Sequence, residues 1–376
     1  MSTMNRASER KSLVARNSQS VRTTFRALVM VLSVGAALVA SSLLLILAGS
    51  DPVDVFVSMV RGSLGSKPSL VSTLNHAAPI MLVATGAVIA GRANLLNIGQ
   101  EGQITMGGLA GVVVGLYLPG PGWVVLTAVL IAGMLGGGLW AGVAGIMKYK
   151  RGVSEVISTL LLIVVAAQIA SFAVNRTWLL GEEMADKYVT ALPRTNLLEP
   201  DSHMPLLVEG SGFRLHAGIV LAVAGALVVR RVLDSTRWGF HLRMTGLNET
   251  TARAQGVATA AHGATALFIS GAFAGLCGGV LLTGTSFRLL DGFSSGYGWE
   301  GLLAAFVGNL NPLLVIPSSL VFGALRAGGG VLSATGVSST IVGVVQGLVV
   351  IAIVVPAVVF RTIDRRAAVS LKAERT

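Results

Sequence analysis

Residues 263–285 read GATALFISGAFAGLCGGVLLTGT, a run of 23 residues without a charged side chain. A helix needs about 20 predominantly apolar residues to cross the hydrocarbon core of a bilayer, so this run is long enough for one passage. Over the full 376 residues, 53% are hydrophobic and 12% are charged, and the charged share is about half that of a soluble domain. The composition predicts a polytopic, all-α membrane protein, and it excludes an ordinary soluble enzyme, a nucleic-acid-binding domain and a disordered chain.

Further segments have a similar apolar composition, which brings the prediction to about ten transmembrane helices. The short pair at 299–310 and 313–326 meets at Asn309-Leu310-Asn311-Pro312, where asparagine and proline end helices. We therefore expect half-helices or broken spans there, as occurs where the backbone of a membrane protein lines a cavity or packs inside protein. The other predicted spans, besides 263–285, are 25–49, 69–91, 103–118, 123–147, 155–175, 215–233 and 340–360.

Basic residues are concentrated in alternate connections between the predicted spans. With the N terminus inside, the inner side holds 20 of the 28 Lys and Arg residues, in segments 1–26, 92–102, 148–154, 230–262 and 361–376. This positive-inside bias predicts that both termini are cytoplasmic, and it accounts for the net charge of +11 without nucleic acid. The predicted organisation is a cytoplasmic tail at 1–24, a transmembrane domain at 25–360 and a second cytoplasmic tail at 361–376.

Two predicted connections are longer than a turn requires. The outer loop 176–214 is polar and acidic, and three roles fit it: a cap on the outer mouth, a docking surface for a soluble partner, or a solvated connector. The inner segment 234–262 has a helical centre, in which Asn248 is a suitable N-cap and Gly256 a suitable stop. We expect a short helix along the cytoplasmic face, where a partner could dock.

Polar side chains inside the predicted spans are costly in lipid, so they support a functional hypothesis. They are mostly amides, which suits a neutral, hydrogen-bonding solute better than an ion or a proton relay. An aromatic ring next to a carboxylate also suits stacking and hydrogen bonding to a sugar or base. We assign to the substrate pathway Asn75, His76, Asn97, Gln100, Glu101, Gln103, Trp299, Glu300 and Asn309.

Structural roles are open for the same residues. The stretch 97–103 suits an inner-face turn before a helix, with Glu101 favoured near the helix N terminus. His76 suits hydrogen bonding between packed helices. Trp299 suits an interfacial anchor, and Glu300 suits the first turn of the short helix 299–310.

Two segments share a pattern that predicts an internal repeat. GRANLLNIGQEGQITMGGLAGVVVG (91–115) and FRLLDGFSSGYGWEGLLAAFVG (287–308) each run from arginine through Leu-Leu and a glycine-rich turn to a small-residue helix. Paired glycine-interrupted segments in two halves of a transporter indicate a central translocation site.

Several motifs resemble one family of membrane proteins. NIGQEGQ at 97–103, TRWGFHLRMTGLNETTARAQGV at 236–257 and the later ISGAFAGLCGG, GYGWEGL and GNLNP resemble permease subunits of bacterial nucleoside/simple-sugar ABC importers. These belong to the wider branched-chain amino acid/ribose permease superfamily, and the resemblance covers roughly residues 70–360.

The resemblance implies an ABC importer permease fold in the bacterial cytoplasmic membrane, without catalytic residues or a cofactor of its own. It implies three protein partners: a cytoplasmic ABC ATPase that binds ATP and magnesium, a second homologous permease, and an extracytoplasmic solute-binding protein or lipoprotein. The substrate would be a nucleoside or sugar. The transmembrane helices would be in contact with membrane lipid. The inner helix would be the coupling helix that contacts the ATPase, through Gly246, Asn248, Glu249, Ala252, Arg253 and Gly256. Glu249 stands where the family commonly has proline, and Gln255 where it often has an aromatic residue.

Other functions stay open alongside a nucleoside importer. A ribose or simple-sugar permease and a branched-chain amino acid permease share the same architecture. A secondary transporter would need a buried ionisable coupling site, for which Glu101, Glu155 and Glu300 are the candidates. A scaffolding membrane protein would move no solute. The sequence has no P-loop motif and no Cys/His metal motif, so neither ATP binding by a P-loop nor a metal site is predicted for this chain.

Overall fold

A computed structural model describes residues 25, 28–29, 31–47, 49–182, 193–210, 212–334, 341, 343–352, 354–356 and 359–360. The chain divides into two units. One combines Met1–Met59 with Gly329–Thr376, and the other is Val60–Gly328. The predicted cytoplasmic tails, 1–24 and 361–376, lie outside the described residues.

The first unit contains helix α1, Val31–Leu47, and helix α13, Gly343–Pro356. The Ser33 hydroxyl donates to the carbonyl of Ala352 over 2.9 Å and so joins these two helices. After α1 the chain bends by 115° into α2, Pro52–Leu64. Asp51 starts α2 by accepting a hydrogen bond from the Val53 amide at 2.7 Å.

Most helices lie in the second unit or extend from it. They are α3 Lys67–Arg92, α4 Gln100–Tyr117, α5 Gly122–Arg151, α6 Glu155–Val174, α7 Gly218–Ser235, α8 Arg237–Leu247, α9 Glu249–Ala254, α10 Thr259–Leu281, α11 Tyr297–Val307 and α12 Val315–Ala334. A π-helical turn at Leu282–Ser286 follows α10. The predicted outer loop 176–214 contains an antiparallel hairpin of β1, Leu206–Gly210, and β2, Phe213–His216.

The helices confirm a polytopic α-helical membrane protein. Among the described residues, five helices are long and apolar enough to cross a membrane. They are α3, α5, α6, α10 with its extension, and α12. The count is six if the bent α1–α2 pair is one span. Ten spans and the placement of the termini are not confirmed. The 18-residue helices α4 and α7 carry polar ends, since α4 begins with Gln100 and Glu101 and α7 ends near Arg230 and Arg231.

The predicted pair of short helices is half right. Helix α11 is short, with 11 residues. Helix α12 has 20 residues and continues to Ala334, so the predicted end at residue 326 is wrong. The single charge at Arg326 does not end the helix, because its guanidinium is paired with Glu300 inside the fold.

The inner segment 234–262 contains two helices, where the sequence predicted one. The predicted helix is confirmed as α9: Asn248 accepts from the Thr251 amide at 3.0 Å, and Gly256 ends the segment with a φ of +82°. Helix α8 was not predicted. Its N-cap is Thr236, whose hydroxyl oxygen accepts from the Gly239 amide at 3.1 Å, and this local signal was present in the sequence.

Glycines let the central helices of the second unit approach each other closely. A Cβ atom at Gly275 of α10 would overlap the carbonyl oxygen of Gly133 in α5, and one at Gly137 would overlap that of Gly271. A Cβ at Gly107 of α4 would overlap the backbone of Gly275. Helices α4, α5 and α10 are therefore in backbone contact, which is how small residues stabilise helix association in membranes.

This packing predicts that Gly275→Ala lowers stability. The new methyl group must displace backbone rather than a flexible side chain, which costs about 1–3 kcal/mol. Gly142→Ala is the matched control, because the nearest atom to its Cβ is Phe268 Cδ2 at 3.8 Å. Thermal unfolding in detergent should show a lower midpoint for Gly275→Ala and an unchanged or higher midpoint for Gly142→Ala, because alanine favours a helix over glycine. Equal midpoints for the two variants would contradict the packing described above.

Candidate functional site

The two segments that share the repeat pattern meet at the N terminus of α11. Glu101, in the first turn of α4, places its Oε1 atom 2.6 Å from the amide nitrogen of Gly296 and its Oε2 atom 2.7 Å from that of Gly298. The first amides of a helix lack partners within the helix and carry partial positive charge. The Glu101 carboxylate therefore caps α11 from a different helix.

Close contacts fix the position of α11 beside this cap. A Cβ at Gly298 would come within 2.5 Å of both the amide nitrogen and Oε2 of Glu101. A Cβ at Gly301 would come within 2.5 Å of the Val83 side chain in α3. Glycine at both positions is what lets the short helix lie against α3 and α4.

Four side chains, His76, Tyr297, Glu300 and Arg326, connect α3, α11 and α12, and we name them the Arg326 cluster. The Arg326 guanidinium donates to Glu300 Oε1 at 2.7 Å and to the Ser295 carbonyl at 2.8 Å. It also lies 3.8 Å from the centroid of the Tyr297 ring, in a cation–π contact. The Tyr297 hydroxyl is 2.7 Å from Nδ1 of His76.

The Arg326 cluster has unused hydrogen-bonding capacity. Oε2 of Glu300 is shielded from solvent and has no partner among the described residues, although the Glu300 side chain as a whole is 27% exposed. The neighbouring Trp299 is 44% exposed. Trp299 and Glu300 are consecutive residues of α11, so their side chains point about 100° apart. The Trp299 ring is able to stack on a planar ring, whereas Oε2 of Glu300 can accept a hydrogen bond from an N–H or O–H group only when the cluster opens to expose it.

The predicted amides of 97–103 are buried between helices. Asn97 and Gln103 exchange two hydrogen bonds of 2.9 Å, and Asn97 also donates to Ser270 at 3.0 Å. Gln100 donates to the Val83 carbonyl at 2.9 Å, and its Oε1 atom has no partner among the described residues. These contacts hold α4 to α3 and α10, and a pathway role for the three amides stays a prediction.

Two further predicted residues lie apart from the Arg326 cluster contacts. Asn75 donates to the Arg214 carbonyl at 2.7 Å and accepts from the His216 amide at 3.4 Å, so it joins α3 to the outer hairpin. Asn309 is exposed in the turn after α11, at the opposite end of that helix from Trp299.

Sequence reasoning missed Tyr297 and Arg326. A signal for Arg326 was available, because it is a single arginine within a predicted span, and such charges normally have a partner or a function. Among the described residues, no group of three or more His, Cys, Asp and Glu side chains could hold a metal ion.

Residues 69–354 match the model of the family described as branched-chain amino acid transport system / permease component. The chain belongs to this permease family. The permease is 30% identical to the glucose ABC transporter permease protein TsgB13 of Haloferax volcanii, over 85% of each chain. It is 28% identical to the guanosine ABC transporter permease protein NupP of Bacillus subtilis, over 86% of this chain and 92% of the relative. It is 25% identical to the nucleoside ABC transporter permease protein NupB of Lactococcus lactis, over 88% of this chain and 92% of the relative.

Bacillus subtilis and Lactococcus lactis each contribute a second permease that aligns over less of this chain: NupQ, at 27% identity over 67% of the chain, and NupC, at 25% identity over 66%. The permease is therefore an ABC transporter permease subunit of the nucleoside and sugar importer type, and a multi-pass integral membrane protein. It is a non-catalytic subunit, and ATP hydrolysis belongs to a separate subunit of such transporters.

The ion pair in the Arg326 cluster can be tested by a double-mutant cycle. We expect Glu300→Gln and Arg326→Met each to destabilise the permease by about 1–3 kcal/mol, because each leaves a partly buried charge without its partner. The double variant should lose less than the sum of the two single variants. Denaturation midpoints in detergent measure this coupling. Strictly additive losses would show that the two side chains do not depend on each other.

Proposed function

We propose that the permease is a subunit of an ATP-driven importer of nucleosides and forms half of the translocation pathway. The observation that carries this proposal is the edge of α11, where the Trp299 ring is exposed and the next residue, Glu300, keeps an unpartnered Oε2 atom that is shielded from solvent. About ten transmembrane helices, including broken ones, with both termini inside, complete the proposed architecture.

The chemistry of this edge suits a nucleoside. A nucleobase stacks on an aromatic side chain with a free energy of about 1–3 kcal/mol. Nucleosides also carry N–H and O–H donors for a carboxylate oxygen. The relatives named for guanosine and nucleoside transport support the same substrate class.

A simple sugar is the second candidate. It shares the O–H donors of a nucleoside and also packs on aromatic rings, although it lacks the planar base. The relative named for glucose transport supports this alternative.

The cytoplasmic partner is proposed to be a separate ABC ATPase, which binds the ATP and magnesium. Its docking site would be α9 and the end of α8, through Gly246, Asn248, Glu249, Ala252, Arg253 and Gly256. Two features of the surface support docking. Leu247, the last residue of α8, is 87% exposed, and the Arg253 side chain is 67% exposed while pairing with Glu249 at 2.8 Å. A large apolar side chain this exposed next to a basic one suits contact with another protein.

Two more protein partners are proposed. The paired relatives from Bacillus subtilis and Lactococcus lactis support a second, homologous permease subunit. An extracytoplasmic binding protein would dock on the outer side. A cavity of about 400 Å³ there, lined in part by Glu199, Asp201 and the α4–α5 connection, supports an outer docking surface.

Uptake into proteoliposomes tests the proposal. The permease would be reconstituted with its neighbouring permease and ATPase, with binding protein outside and ATP inside, and offered labelled guanosine, uridine, glucose and leucine. We expect ATP-dependent accumulation of the two nucleosides. Accumulation of glucose alone would favour the sugar candidate, and accumulation without ATP would contradict an ATP-driven importer.

The same assay tests the role of Trp299. We expect Trp299→Ala to lower the rate of guanosine uptake at low solute concentration by about tenfold, the value of one lost stacking contact. Trp123→Ala is the matched control, because Trp123 is 72% exposed at the start of α5, away from the Arg326 cluster contacts. Equal uptake by the two variants would remove Trp299 from the pathway.

A further inference from the structure

The C-terminal end of α3 lies between α8 and the turn that joins α11 to α12. On one side, a Cβ at Gly246 of α8 would overlap the carbonyl oxygen of Arg92, so the backbones of α8 and α3 are in direct contact. On the other side, the Arg92 side chain donates from Nε to the carbonyl oxygen of Leu310 at 3.0 Å. One residue therefore contacts both the proposed docking helices and the turn after α11.

The α11–α12 turn is held in an unusual conformation. Asn309 and Leu310 have φ values of +52° and +49°, so two successive residues with side chains occupy the left-handed region. This conformation is unfavourable for a residue with a Cβ atom, because the Cβ lies too close to the backbone carbonyl oxygen. The free energy of the turn backbone therefore falls if the contacts that restrain it are released.

The restraints on this turn come from α3. Leu310 is 5% exposed, and its side chain lies against Gly91, where a Cβ would come within 2.6 Å of Leu310 Cδ1. The Arg92 hydrogen bond fixes the carbonyl of the same residue. One apolar and one polar contact, both from the last turn of α3, keep Leu310 in place.

Movement of this turn would reach the substrate edge of α11. The helix has 11 residues, a length of about 16 Å, and a single α-helix of this length moves as a rod. Its C-terminal end is the turn that Arg92 holds, and its N-terminal end carries Trp299 and Glu300. A displacement at one end is therefore transmitted to the other.

We infer that Arg92 is the positioning residue through which movement of α8 and α9 reaches the substrate edge of α11. Arg92 does not touch the solute in this scheme: it acts through the Leu310 carbonyl. The inference rests on the proposed function. It deepens that function by naming the residue that links the docking surface to the pathway.

The first test measures solute moved per ATP hydrolysed in the reconstituted complex. Arg92→Met keeps much of the side-chain volume but removes the donor, Arg92→Lys keeps a charged donor, and Arg151→Met is the control at the exposed end of α5. We expect Arg92→Met to lower the ratio roughly tenfold at unchanged complex yield. Arg92→Lys should recover part of the ratio, and Arg151→Met should leave it unchanged. If uptake and ATP hydrolysis fall together in Arg92→Met, its role is structural only and the inference is wrong.

A second measurement does not depend on the solute. Spin labels at Leu247→Cys and Trp299→Cys, in a Cys277→Ala background, report the distance between the docking surface and the substrate edge. We expect ATP to change this distance in the complex with Arg92 and not in the complex with Arg92→Met. If the distance in the labelled complex with Arg92 responds to ATP while the unlabelled complex with Trp299 accumulates no nucleoside, the proposed substrate is removed and the link is kept. The same ATP response in both labelled complexes, or no response in the labelled complex with Arg92, would overturn the link.

Discussion

The carboxylate of Glu101 is the constraint on which the rest of the candidate site depends. It binds two amides that α11 cannot satisfy itself, and it does so from α4, in a part of the chain nearly 200 residues away. Without a cap, a short helix inside a membrane protein leaves polar amides in a medium of low dielectric constant, at a cost of several kcal/mol. The Glu101 cap therefore allows an 11-residue helix to end inside the protein and to present Trp299 and Glu300 there.

The helices around α11 and the two ends of α11 itself differ in how freely they can move. Backbone contacts between glycines hold α4, α5 and α10 together, and such contacts leave little room for adjustment. Helix α11 also packs closely on α3 and α4 through Gly298 and Gly301, but its two ends are held by a few polar contacts, from Glu101, Arg326 and Arg92. Polar contacts of this kind are specific in geometry and each modest in net free energy. A rigid scaffold with a separately held short helix is a physical basis for alternating access in the proposed importer.

Local signals in the sequence were sufficient for some features and not for others. The helix at 248–256 could be predicted because its N-cap, its i,i+4 ion pair and its glycine stop lie within nine residues. The membrane class followed from composition. The Arg326 cluster could not be predicted in full, since its residues come from three helices and only packing brings Tyr297 and His76 together. For the same reason the sequence predicts the wrong end for α12. A charged residue such as Arg326 is expected to end an apolar span unless its partner, here Glu300, is known.

The most direct test of the central claim is the reactivity of a single cysteine at Trp299→Cys. Cys277 is free and buried, so Cys277→Ala gives a background without competing thiols. The assembled complex would be treated with a membrane-impermeant thiol reagent, with and without a nucleoside. If the edge of α11 lines the pathway, the cysteine reacts, and the nucleoside slows the reaction. A cysteine that never reacts, or that reacts at the same rate with the nucleoside present, would contradict the assignment of α11 to the substrate pathway.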